Sequence, residues 1–193
     1  MNGRSGEPRA IGESAEDVIA KTRNWLEKAV IGLRLCPFAG APYLRGQVRY
    51  RVSEQATTVG LVQELTEELT YLAAADPHVC ETSLLIHPHV LRDFLDYNQF
   101  LDQADATVVS LGLQGELQIA SFHPAYQFAG SAPDDIENYS NRSPYPMLHV
   151  LREASVQRAV AAFPGVHEIG DRNMATLREL GRAGWRELLD RDR

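Results

Sequence analysis

The positions Val18, Thr22, Trp25, Ala29 and Leu33 recur at helical spacing behind Ser14 and Asp17, which resemble an N-terminal cap. They predict a helix over about 15–35 that Cys36-Pro37 ends. From Gln47 to Ser53, Val48, Tyr50 and Val52 alternate with Arg49 and Arg51, the period of a half-buried strand. Leu61, Leu65, Leu69 and Leu72 mark a second helix from Thr58 to the turn at Asp76-Pro77. Glu81–Ile86 and Glu116–Phe122 read as two further short strands. Between them a third helix runs from Val90 to near Gly112. A fourth is predicted from about Pro146 to Phe163, closed by Pro164-Gly165, and two more helical patterns fill 168–190.

Strands that alternate with helices usually build a parallel sheet with right-handed crossovers. The expected fold is therefore α/β: a single small domain with about three strands in a parallel sheet, flanking helices and a helical C-terminus. A mixed sheet is the main rival. Residues 1–13, polar and aperiodic, read as a loose N-terminal tail, and 14–193 as one domain. At 193 residues such a chain buries about 70% of its unfolded surface, enough for a core without staples.

Composition narrows the class. Cys36 and Cys80 are too few for a disulfide framework and form no CxxC pair. No apolar run reaches the roughly 18 residues of a membrane span, and the N-terminus lacks the apolar core of a signal peptide, so a cytoplasmic protein is expected, with no membrane partner. The net charge of −7 is uneven: +4 over 1–53, −13 over 54–141 and +2 over 142–193. An acidic centre argues against nucleic acid as a partner. Oligomeric state is not legible.

Two strands end in the same dipeptide, at His87-Pro88-His89 and at His123-Pro124. Proline leaves a ladder and holds its predecessor extended, so each His-Pro marks a strand exit. Parallel strands would bring both exits to the carboxyl edge, where open α/β sheets bind ligands. A second reading makes each His-Pro a helix start with a structural histidine. Residues 125–143 lack any period and are long for a connection. With Tyr126, Phe128 and Tyr139 they suggest an ordered lid or binding loop. Asp134-Asp135 could supply oxygen ligands or merely a turn and cap. Arg142 could clamp a carboxylate or phosphate, or pair with the acidic loop. His149 falls in the first turn of the predicted fourth helix, on a side able to face the loop. Cys36 is a candidate nucleophile, although a helix C-terminus is the wrong dipole end for a thiolate. GxGxxG, GxxxxGK[ST], GxSxG and HExxH are all missing.

Several blocks of residues resemble the bacterial family called domain of unknown function 1415. They are Trp25-Leu26, Gly32–Ala39, Gly46–Tyr50, Leu84–Pro88, Phe94–Asn98, Ser121–Pro124 with Tyr126–Gly130, and Asn141–Pro146 with His149, Leu151, Arg152 and Glu153. The resemblance covers about 20–190. It places Cys36, His87, His123, Asn141, Arg142 and His149 inside the family's blocks and implies no catalytic role for them.

The leading expectation is an enzyme for a small anionic substrate at the carboxyl edge of the sheet. His87 and His123 would bind a divalent transition metal, with His89 or His149 as a third ligand. Tyr126, Asp134 or Cys36 would do the chemistry, and Asn141, Arg142 and Gln127 would hold the substrate. The alternatives are a metal-free binder of an anionic metabolite, built on helix starts after Pro88 and Pro144, and an interaction module that presents the 125–143 loop.

Overall fold

A computed structural model describes residues 13–163 and 165–190. Apart from Glu13, the expected tail lies outside the described residues, as does Pro164. Ser14 caps helix α1 (Ala15–Trp25) through a reciprocal bond with Asp17. The helix runs on as a π-helical turn, Leu26–Ile31. A short helix α2 (Gly40–Leu44) then leads to strand β1 (Val48–Val52). Helix α3 (Thr58–Ala74), strand β2 (Thr82–Ile86), helix α4 (Phe94–Ser110) and strand β3 (Leu117–Phe122) follow. After a 3-10 turn at Ile136–Ser140 come strand β4 (Met147–Arg152), helix α5 (Glu153–Ala162) and helix α6 (Ile169–Asp190).

The sheet has four strands in the order β1-β2-β4-β3. Strand β2 is parallel to β1, whereas β4 runs antiparallel to both of its neighbours, β2 and β3. The expectation of three parallel strands is thus corrected to a mixed sheet with one strand more. The extra strand had read as helix because Met147, Leu148, Val150 and Leu151 are spaced i, i+1, i+3 and i+4. A central strand buried on both faces loses its alternation, and its apolar run then matches either element. His149 consequently sits in a strand and not in a helix turn. Helix α4 starts four residues later than expected, capped by Asp93, so Pro88 opens no helix. Pro144 likewise leads into β4.

Alternation along the strands sends side chains to two apolar layers. On one face Leu85, Leu117, Leu148 and Val150 pack under the leucines of α3 and under Tyr97, Phe100 and Ala104 of α4. On the other, Leu84, Ile86 and Met147 meet Val18, Trp25, Ala29, Leu177 and Trp185 from α1, its π-helical extension and α6. One charge enters the first layer. Glu68 on α3 is fully buried and accepts from Arg49 Nε at 2.5 Å and from Ser83 Oγ at 2.9 Å. Arg152 closes the same layer, where Nη2 donates to the Leu72 and Ala75 carbonyls at the end of α3 and to the Cys80 carbonyl just before β2.

Candidate functional site at the carboxyl edge of the sheet

Because β1, β2 and β3 share a direction, both His-Pro exits do lie on one edge, with β4 between them. His87 stacks on Tyr97 of α4 and His123 leans at a tilt against the same ring, with centroids 5.8 and 5.0 Å away. The Tyr97 hydroxyl donates to the Met147 carbonyl at 2.8 Å and accepts from the Phe122 amide at 3.1 Å, bridging the sheet where β4 begins.

The histidines are nevertheless occupied. A carbonyl can only accept, so its partner nitrogen must carry the proton. His87 Nδ1–H therefore donates to the Val90 carbonyl at 3.0 Å, and His123 Nε2–H to the Leu91 carbonyl at 3.2 Å. The Ala125 amide donates to His123 Nδ1 at 3.0 Å, which uses that ring's remaining lone pair. The pair clamps the 88–93 connection, in which Leu91 is held at φ 57°, a conformation that a branched side chain resists. Burial holds both rings neutral, pushing His87 down to about 4 and lowering His123. A single free lone pair is left, on His87 Nε2, which is fully buried and has no partner among the described residues.

The other proposed ligands lie elsewhere. His89 is exposed, with Nε2 3.9 Å from Glu54. His149 pairs in register with Leu84 and Ala120 and faces the α1/α6 layer, across the sheet from His87 and His123. Its Nε2 meets Thr82 Oγ1 at 2.7 Å, and burial pushes it down to about 4. Among the described residues no three His, Cys, Asp or Glu side chains gather as a metal-binding group.

Residues 125–143 wrap the end of the sheet from one layer to the other. Tyr126 packs on Phe94 of α4 at 5.2 Å, and Tyr139 meets Trp185 of α6 edge-on at 5.3 Å. Asn138, wholly buried, staples the loop from within: it accepts from the Phe128 amide and the Ser131 hydroxyl and donates to the Ala132 carbonyl. Arg142 adds a second tie, with Nε to the Tyr126 carbonyl at 3.2 Å, Nη2 to the Pro133 carbonyl at 2.5 Å, and its plane over Tyr139. Gln127 bonds the Ser131 carbonyl, and Asn141 extends the edge of β3 through the Ser121 carbonyl. Asp134 is an exposed partner of Arg182. Cys36 lies in the turn before α2, its thiol raised by burial and so less reactive than a free one.

A cleft of about 960 Å³ opens beside this edge, on the α1/α6 side. Lys21, Asn24 and Trp25 of α1 form one wall, and Trp185, Arg186 and Leu189 of α6 the other. Tyr139, Arg142 and Tyr145 close the end. Glu13 and Asp17 at the mouth are engaged, the first by Lys21 and the Tyr145 hydroxyl, the second by Ser14. The buried indole N–H of Trp25 has no partner among the described residues. Of these residues only Arg142 was a candidate from the sequence. The faint signal for the rest was the placing of Trp25 and Lys21 on one amphipathic helix.

Fold and cleft define a mixed α/β domain with a side pocket between its first and last helices. Residues 17–187 match the family model described as "Protein of unknown function (DUF1415)", and the chain belongs to that family. No curated protein and no solved structure matches the chain.

Proposed function

We propose that the protein is a metal-independent binder of a small molecule with an anionic group and an apolar or aromatic body, taken up in the cleft between α1 and α6. The observation that carries this reading is the lining itself, which sets Trp25, Tyr139, Tyr145 and Trp185 in one cleft with Arg142 and Arg186. Ligand sites commonly pair apolar and aromatic walls with a few convergent polar groups. Glu13 and Asp17 are already engaged, so among the described residues that line the cleft Asp190 is the one acid left without a bond. Arg142 keeps guanidinium protons beyond its two loop bonds, suited to a carboxylate or phosphate. The metal-enzyme reading has less support, because His123 has no lone pair to give and His149 is on the other face. His87, His149 and Tyr97, whose ionisation is shifted most, do not line the cleft.

The chain has two tryptophans, one in each wall of the cleft. Small carboxylates and phosphates, titrated with EDTA present, are expected to change the tryptophan fluorescence saturably and to raise the melting temperature. Lys21→Ala and Arg186→Ala should each weaken binding about tenfold, near 1.4 kcal/mol. Binding that EDTA abolishes, or that both variants leave untouched, would defeat the proposal.

A further inference from the structure

We propose that the second half of α6, residues 182–190, is a hinged flap that opens and closes the cleft. This rests on the cleft's being the binding site, for which it supplies the gate. Helix α6 is not continuous. Gly181 stands at φ 64° and ψ 173°, outside helical geometry, and breaks the rod into two pieces. No atom lies within 4 Å of where a Cβ would be, so the backbone angle and not crowding explains glycine there. The pieces are anchored differently. Before the break, Leu177 is fully buried and Asn173 Nδ2 donates to the Leu35 carbonyl at 2.8 Å. Beyond it, Asn24 Nδ2 on the opposite wall holds the Leu189 carbonyl at 3.1 Å, Trp185 leans on Tyr139, and Arg182 pairs with Asp134 at 2.9 Å.

These ties are few. The Arg182–Asp134 pair has side chains 48% and 79% exposed, and water screens such a contact to little value. A helix of so few residues does not hold itself together alone, so it depends on the face it packs against. That face is the cleft: Trp185 and Leu189 line it, and the Asn24–Leu189 bond spans it as a clasp. Rotation about Gly181 would lift this wall away from α1 as a unit, drawing Trp185 out of the layer it shares with Leu177 while the first half of α6 stays in place. Sub-global openings of this kind are the ordinary means by which a binding site admits its ligand.

Hydrogen exchange on the full chain tests the hinge without any ligand. Amides 183–190 are expected to exchange together, at least tenfold faster than 172–180, with a step at Gly181. A rate that rises smoothly toward residue 190, as fraying would give, or equal protection on both sides, overturns the proposal. The gate is tested in Trp185→Phe, where Trp25 is the remaining tryptophan. Adding Asn24→Ala should at least double the acrylamide quenching of Trp25 and speed exchange in 183–190 alone; unchanged quenching refutes gating. Should the double variant not fold, the wild-type exchange step decides. Failure of every small molecule to bind would sink the binding reading and leave the exchange step standing.

Discussion

His87 and Glu68 are both fully buried and are held by different means, one as a neutral ring and the other by bonds from Arg49 and Ser83. The imidazole stays neutral in the folded chain down to about pH 4, while an unfolded histidine takes its proton near 6.5. Between those values the unfolded state binds more protons, so stability falls as pH drops through the window and levels off below it. The loss from this residue alone is on the order of 3 kcal/mol. Urea midpoints measured from pH 7 to 4 should show it, and His87→Leu should reduce the dependence over that range, His149 and His123 keeping the remainder. Glu68 is a charge that its partners must hold. Glu68→Ala leaves the buried Ser83 hydroxyl without its acceptor, while Arg49, with a side chain 36% exposed, can turn to water; it is expected to lower stability by about 1–3 kcal/mol in chemical denaturation. Glu68→Gln, which keeps an acceptor for Ser83, should lose less.

At the scale of elements, the sequence was legible wherever one face of a segment met water. Strand β1 alternates because it is an edge, and α3 shows its leucine stripe because the opposite side is charged, so both were placed within a residue or two. Strand β2 is buried throughout and was found by its length and its flanking turns. Strand β4 was lost because Glu153 begins a helix with no break after Arg152, and the apolar run merged with it. The convergence of His87 and His123 could be inferred from two His-Pro exits. Their work as clamps could not, since it depends on which ring nitrogen meets which carbonyl. The 125–143 segment is an ordered span whose rigidity comes from Asn138, which no spacing rule selects, and from Arg142. Removing Arg142 frees the Tyr126 and Pro133 carbonyls. Arg142→Ala should lower stability by about 1–3 kcal/mol, and limited proteolysis should then cut within 125–143 well before the wild type is cut.

For the whole molecule, the cleft joins the first described helix to the last, and this is why the sequence pointed to the loop and overlooked the walls. Trp25 and Trp185 are separated by almost the full chain and come together because α1 and α6 pack in one layer on the same face of the sheet. If the site needs no metal, added zinc and excess EDTA should both leave the melting temperature unmoved, in contrast to the shift expected of a ligand that binds the folded state. The order of the strands has a further consequence, for biosynthesis. Strand β4, which joins β2 to β3 and is bonded to both, is the last of the four to be translated. Until Met147–Arg152 has left the ribosome, the two strands that flank it have no shared neighbour and their inner edges stay unpaired. The nascent polypeptide must therefore carry two open edges from the emergence of β3 until that of β4, and those edges are where a chaperone, or another unfinished chain, would first take hold.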